Sequence, residues 1–388
     1  MSPDRITQTT QRSWFQRLGS AFTGVLVGLV MAAVSVVVLG WNEGRSIAQM
    51  RGLSEGARMV VSAPLATIDP ANEGRLIHLS GLLRVEGRRT DPLSGVSAEG
   101  VSLKRSIELY QWSETRRSET RTKLGGGEET VTTYTYARGW SSTAEDSTRF
   151  HTPQGHENPA PLLDDTLVSA EEGQVGAYRV DRRLLNAFQP SIPVLVTQED
   201  ARALSMALSR PVRVETDALY VGMDPARPAV GDIRIRYTAA PAGSVSVVAA
   251  QSGGALAPFT ARSGAEIFLV TPGMATAQEM LQQAREGNQV LTWVLRLGGV
   301  VGLIVGFGLI LAPLPTLADV LPPLGAVVRF GTGTLAAIGG VAVGVVVIAV
   351  AWFAVRPVFS LLSLAGIGLV VATVLWVRRP ARTVSGSS

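Results

Sequence analysis

Four long apolar stretches without a single charge run through this chain of 388 residues, at 18–42, 297–318, 330–355 and 357–377. Each reaches the roughly 20 residues that a helix needs to cross the hydrocarbon core of a bilayer. The pattern predicts a multipass α-helical membrane protein with one N-terminal and three C-terminal transmembrane helices. A large β-rich α+β soluble domain is expected between spans one and two. The expected divisions are a cytoplasmic tail over 1–17 and spans at 18–42, 291–312, 330–355 and 357–377. An extracytoplasmic domain takes 43–290, an interfacial or re-entrant segment 313–329, and a second cytoplasmic tail 378–388.

The bulk numbers agree: mean hydropathy is +0.24 and 17% of residues are charged, against about 25% in a typical soluble chain. With no cysteine, disulfides and thiolate metal sites are excluded and the redox compartment leaves no record. The high isoelectric point reflects a net charge of only +4 with dispersed arginines, which is not the clustered footprint of a nucleic-acid binder. Lysine is confined to Lys104 and Lys123 while Arg, Ala, Val and Gly abound, as in GC-rich bacterial genomes.

Arg5, Arg12 and Arg17 before the first stretch resemble the basic region of a signal peptide. The stretch exceeds the 7–15 residues of such a core, however, and leads into Trp41, Asn42, Glu43, Gly44 and Arg45 instead of a small-residue cleavage site. A retained anchor is expected. Basic residues at both ends, with Arg378, Arg379 and Arg382 after the last stretch, put both termini in the cytoplasm and the domain on the far side. In a bacterium that is an inner-membrane protein with a periplasmic domain. Asp319 and Arg329 fall in the cytoplasmic link. Arg296 and Arg356 fall at far-side span ends, against the rule, and are expected to reach the headgroups.

Every ionisable residue lies at or beyond a span end, whereas ion and proton pathways usually place one inside, so the spans do not read as a conducting path. They carry small residues at four-residue spacing instead: Gly24 and Gly28, then Gly298, Gly302 and Gly306, then Gly340 and Gly344. Such faces let helix backbones approach closely in lipid. They serve either a self-contained four-helix bundle or homo-oligomerisation. Four prolines between spans two and three, at 313, 315, 322 and 323, argue against a continuous helix there.

The middle region reads as strands at 76–85, 102–114, 130–137, 212–215, 232–237, 245–250 and 267–270. In 102–114, Leu103, Ile107 and Leu109 alternate with Lys104, Ser106, Glu108 and Tyr110, the signature of a half-buried strand. Its expected partner is 130–137, across a connection tipped by Gly125, Gly126 and Gly127 that should be mobile and exposed. Thr197 with Asp200 caps one helix that stops before Pro211, and Thr276 with Glu279 caps another that runs toward span two. Gly287 and Asn288 are expected to break or kink the second. Gly44 can end the first span's helix, with Trp41 in the interfacial belt. Glu43 or Arg45 then pairs with headgroups or with the domain. The Trp41–Arg45 motif is either an anchor-to-domain junction or a partner-binding site. Tyr110, Trp112, Tyr134, Tyr136 and Trp140 form an aromatic cross-strand cluster, serving either sheet packing or an exposed interaction surface.

No catalytic constellation is visible. His151, His156 and Glu157 sit in a loop with Pro153 and Gly155 and fit no zinc spacing. No nucleophile elbow, Walker loop or dinucleotide fingerprint follows a predicted strand. The chain is expected to be no enzyme and to need no cofactor or metal.

Several strings, in order, resemble the transmembrane protein 43 family, also called LUMA. They are WNEGR at 41–45, LSEG at 53–56, NEGRLIHLSG at 72–81, ELYQWSE at 108–114 and TYTY at 133–136 with Trp140. Phe150 with GHENP at 155–159, VGDIR at 230–234, LRLGG at 295–299 and LADVL at 317–321 complete the set. The resemblance implies a multipass endomembrane protein. Its eukaryotic members sit in the endoplasmic reticulum and inner nuclear membrane, self-associate and scaffold a complex with emerin and lamins; bacterial relatives have no established activity. Two functions from different classes follow for this chain. One is a non-enzymatic membrane scaffold that self-associates, partnered by the lipid bilayer, by its own copies and by other membrane or envelope proteins. The other is an extracytoplasmic ligand sensor or accessory subunit of a transport or envelope system.

Overall fold

The computed structural model describes residues 4–353 and 365–366. The expected fourth span at 357–377, Arg356 and the C-terminal tail lie outside the described residues. The chain forms two compact units. The first comprises Met1–Thr9, Arg51–Glu119 and Val131–Ala284; the second comprises Thr10–Met50, Thr120–Thr130 and Arg285–Ser388.

The first unit holds two main sheets. Strands β1 (Asp4–Arg12), β2 (Leu76–Arg84), β3 (Ser102–Thr122), β4 (Glu128–Ser141), β5 (Val212–Glu215), β6 (Ala218–Val221), β7 (Ile233–Ala240), β8 (Ser244–Ser252) and β9 (Leu269–Pro272) carry most of them. The main path of the eight-stranded sheet runs β1-β4-β3-β7-β6-β5, with Ile192–Val194 pairing β7 and Thr166–Ser169 pairing β3 off it. Its inward positions alternate as the sequence pattern requires: Leu103, Ile107 and Leu109 of β3 pack with Ile233 and Ile235 of β7 and with Ala201 and Leu204 of helix α2 (Gln198–Leu208). The expected Thr197–Asp200 capping box is present, with the Asp200 N–H donating to Thr197 Oγ1 at 3.3 Å and the Thr197 N–H to Asp200 Oδ2 at 2.7 Å. The seven-stranded sheet centres on β8, which pairs antiparallel with β2 over Ser244–Ala250 and with β9 over Val245–Val248. Seven consecutive residues of β8, Val245–Gln251, are buried, because apolar clusters cover both faces. Val245 and Val247 join one cluster with Ile77 and Tyr178; Val248 joins another with Leu53, Leu76 and Met280.

Three described helices are long and apolar enough to cross a membrane. These are α1 (Trp14–Met59), α3 (Ala277–Leu311, followed by the short α4, Pro313–Ala318) and α5 (Pro322–Phe353). Their extents differ from expectation in three places. Gly44 does not end α1. A mid-helix glycine costs only about 1 kcal/mol, and beyond it Ile47 and Leu53 continue the buried stripe at helical spacing. Gly52 and Gly56 let α1 lie against Ala265 and Ile267, and a Cβ on Gly52 would sit 2.7 Å from that of Ala265. Gly287 and Asn288 do not break α3 either, because the Asn288 side chain is held by partners on α1. The prolines of 313–329 interrupt the helix as expected, at Ala312 and again at 319–321, but the last helix starts at Pro322, within the segment expected to be interfacial or re-entrant. Pro313 opens α4 and Pro322 opens α5, first-turn positions whose N–H would have no helical partner anyway.

A fourth difference concerns the β3–β4 turn. The sequence suggests a mobile, exposed tip, but Gly126 is buried. Gly125 and Gly126 take left-handed φ of +86° and +78°, open to glycine at little cost. This lets the turn close with the Lys123 N–H donating to the Gly127 carbonyl at 2.7 Å. A Cβ on Gly126 would collide with Trp14. The N-terminal residues expected to be a plain tail form β1, an edge strand of the eight-stranded sheet.

The small-residue faces are used within the chain. A Cβ on Gly306 would sit 2.9 Å from the Gly28 carbonyl oxygen, and Gly302 lies against Ser35, so α1 and α3 meet backbone to backbone. Gly340 and Gly344 of α5 receive Ile304 and Val300 of α3, and Gly24 faces Leu309 at 3.9 Å. Gly298 alone of the seven faces open space, and its neighbour Gly299 makes the contact, with Leu39. Overpacking of this kind costs about 1–3 kcal/mol. Gly306→Leu should therefore lower thermal stability of the detergent-solubilised chain by that order while Gly298→Leu leaves it unchanged. Equal effects of the two would sink this packing assignment.

Candidate functional site

The densest polar constellation in the second unit is built from the Trp41–Arg45 motif. Asn42 and Glu43 point inward from α1 and are completely buried. Glu43 is gripped by Arg296 of α3 through two parallel bonds, Nε to Oε1 and Nη2 to Oε2, both 2.7 Å. The Trp352 indole N–H of α5 donates to the same carboxylate. The guanidinium also lies over the rings of Trp293 at 4.9 Å and Trp352 at 5.8 Å, adding cation–π attraction to a fork-on-fork pair. Arg296 is thus not turned out to headgroups as its position at a span end suggests; its partner is Glu43, one helix away. One turn further, Asn42 Nδ2 donates to the Thr292 carbonyl at 3.2 Å, Arg45 donates to Asn288 Oδ1 at 3.0 Å, and Asn288 Nδ2 donates to the Ser46 carbonyl at 3.2 Å. Trp41 is 61% exposed on the outer side of α1, and Gly44 meets nothing within 4 Å.

A second cluster occupies the other end of the same helices. Asp319, 1% exposed, accepts from Arg17 at 2.6 Å and from Arg329 at 2.7 Å on a single oxygen. Arg17 also donates to the Gly126 carbonyl at 2.6 Å and pairs with Glu128 at 3.0 Å. The Trp14 indole donates to the Thr316 carbonyl at 2.8 Å, and the Gly125 N–H to that of Val320 at 3.2 Å. At 1.5 Å per helical residue, Glu43 stands roughly 39 Å from Arg17 along α1. The two clusters therefore bracket a bilayer's thickness of apolar helix. Sequence reading placed Asp319 and Arg329 in one link but missed their junction with Arg17; the LADVL string at 317–321 was its only signal.

The aromatic residues pack beneath a loop of the first unit. Tyr136 is buried and stacks on His156 with centroids 3.9 Å apart, and Trp112 meets the same imidazole edge-on at 4.8 Å. Tyr134 stacks on His151 at 4.1 Å, and Tyr110 meets Trp140 edge-on at 5.4 Å under the guanidinium of Arg234. Asn158 bonds both backbone groups of Trp112, at 2.8 and 2.9 Å, which clamps the 155–159 loop onto β3. Burial and the Glu114 carboxylate push the Tyr136 hydroxyl above its ordinary pKa, so it stays protonated and donates to Glu114 at 2.7 Å.

One arrangement resembles chemistry. Ser80 Oγ lies 3.3 Å from His78 Nε2 in an open depression. That nitrogen is also 2.9 Å from the Ala275 carbonyl, which can only accept. Nε2 therefore carries the proton and has no lone pair to activate Ser80. Among the described residues, no group of three or more His, Asp or Glu could hold a metal ion.

Apolar helices of bilayer length, closed at both ends by internal ion pairs and joined to a β-rich unit, define an integral membrane protein. The family model for transmembrane protein 43 matches residues 109–357, and the chain belongs to that family. It is 30% identical to Transmembrane protein 43 of Homo sapiens, over 97% of this chain and 96% of the relative. It is 28% identical to the Transmembrane protein 43 homolog of Drosophila melanogaster, over 76% and 77% respectively. No solved structure matches.

Removing one partner of a buried ion pair costs about 3–5 kcal/mol because the other charge is left unpaired. Arg296→Leu and Glu43→Leu should each destabilise the solubilised chain by that order, and the double variant should cost clearly less than their sum. Additive losses in thermal unfolding would mean the two residues are not coupled.

Proposed function

We propose that this chain is a non-enzymatic membrane scaffold that self-associates and organises a membrane or envelope protein complex. The observation that carries the reading is the closure of its polar clusters. Glu43 has both oxygens engaged and no exposure, and the buried Asp319 is paired with two arginines. Such groups hold helices together and present nothing to a substrate. Membership of the transmembrane protein 43 family supports the membrane part of this reading. The orientation proposed has the β-rich unit on the far side, the periplasm in a bacterial inner membrane; because Asp4–Thr9 belong to that unit, the expected cytoplasmic N-terminus is not retained. With no native cysteine, Ser252→Cys on the exposed end of β8 should react with an impermeant maleimide only from that far side. Size measurement by native mass spectrometry in lipid nanodiscs should find assemblies of several copies. A single copy at every concentration would remove self-association.

One observation favours a second reading, a ligand-sensing or accessory role. An open cleft of about 1010 Å³ in the first unit brings together Arg84, Arg89 and Arg179 with Glu86, Glu99 and Glu171. A small acidic or zwitterionic solute that raises the melting temperature of the chain, and fails to do so in Arg179→Ala, would support it.

A further inference from the structure

One face of the seven-stranded sheet, wholly within the first unit, carries a row of charge that the chain itself leaves unmatched. The strand Glu172–Val175 lies between the end of β2 and the strand Tyr178–Asp181, with Gln174 directly opposite both Arg84 and Arg179. Residues directly opposite one another in a sheet share a face, so Arg84, Gln174 and Arg179 stand in one row. Their alternate neighbours Leu83, Val175, Tyr178 and Val180 fill the core. The row therefore points outward, and all three of its members are exposed. At the spacing of neighbouring strands, the backbones that bear the two arginines are roughly 10 Å apart.

The row lines the cleft of about 1010 Å³. Two of the acids there are already matched: Glu171 pairs with Arg182, and Glu99 with Arg88 at 3.4 Å. The arginines are not. Among the described residues Arg84 and Arg179 meet no carboxylate at ion-pair distance, and Arg179 reaches only the Gly253 carbonyl, at 3.5 Å. Arg89, on the hairpin formed by Arg88–Thr90 and Ser97–Glu99, brings a third guanidinium, which donates to the Glu86 carbonyl. An arginine fork fits a carboxylate with two parallel bonds. The Gln174 amide between the forks is both donor and acceptor, as a peptide group requires. Glu172, two residues from Gln174 on the same face, is likewise without a cation and suits an ammonium group.

We infer that this cleft binds a short acidic peptide with a free amino end, one carboxylate on Arg84, another on Arg179, a peptide bond against Gln174 and the ammonium toward Glu172. The inference rests on the ligand-sensing reading given above and names its ligand class. Charge sets the composition: three arginines against the unmatched Glu86 and Glu172 call for one more carboxylate than ammonium. Spacing sets the length, because three extended residues reach about 10 Å and a single amino acid cannot touch both arginines. The volume agrees, lying at the upper end of the range for small-ligand sites.

Titration calorimetry on the full-length chain in lipid nanodiscs tests this with the peptide Glu-Gly-Gly, which carries one ammonium and two carboxylates. It should bind once per chain, and about tenfold or more tightly than free glutamate, whose charges are the same but whose carboxylates lie too close together. Arg84→Gln and Arg179→Gln should each weaken it by about tenfold or more, the loss of a charge-assisted bond. Both positions are exposed, so the unliganded variants should melt with the parent chain. N-acetyl-Glu-Gly-Gly, which lacks the ammonium, should bind more weakly than Glu-Gly-Gly and be indifferent to Glu172→Gln. Glutamate binding as tightly as the peptide, or peptide binding untouched by both arginine variants, would overturn the peptide assignment and leave the ligand-sensing reading standing. No binding of the peptide, together with no small acidic or zwitterionic solute that raises the melting temperature, would overturn both.

Discussion

The buried pair of Glu43 and Arg296 is the constraint around which the membrane helices are arranged. A carboxylate with no exposure at a span end is tolerated only when its charge is matched and its oxygens are bonded. The match comes from α3, with a further donor, Trp352, from α5. One side chain of α1 therefore sets the level of two other helices. The close approach this demands is possible because Gly28, Gly302 and Gly306 remove the side chains that would separate α1 from α3. At the other end Asp319 repeats the logic with Arg17 and Arg329. The bundle is pinned by charge at both ends and by small residues between them, an arrangement suited to lipid, where burial of apolar surface gives helices no reason to associate.

The same economy explains the length of α1. Its apolar stretch ends at Asn42, but the helix runs on to Met59, first through the polar contacts of Arg45 and Ser46 and then through Leu53, Gly52 and Gly56 packed in the β-rich unit. An unbroken helix thus passes from membrane to domain, and α3 does the same in the reverse direction from the Thr276–Glu279 cap. The aromatic cluster serves the first unit in a comparable way. Its rings are engaged by His151 and His156 of the covering loop, so the strings shared with the transmembrane protein 43 family mark places where segments distant in sequence are clamped together.

Much of the architecture was legible in the residues themselves. Uncharged apolar runs, period-two alternation in 102–109 and the caps at Thr197 and Thr276 are local signals. They report a length, a face or a helix start without reference to any partner. The extent of the helices was not legible, since Gly44 and Gly287 are local stop signals that tertiary contacts outweigh, while Pro313 and Pro322 interrupt one helix and open the next. The strands β1 and the far half of β3 were missed because their residues are polar on both faces and show no alternation.

The sequence by itself determined that this chain lives in a membrane, where its apolar spans begin, and that a strand-rich region separates the first from the rest. Hydropathy is a sum over neighbours in the chain, and such sums survive without a fold. Only the tertiary structure decided that Glu43 belongs to Arg296, that Asp319 belongs to Arg17, and that the glycine turn at 125–127 rests against Trp14. Each of these joins residues far apart in the chain, and pairing energies between such residues depend on distance in space.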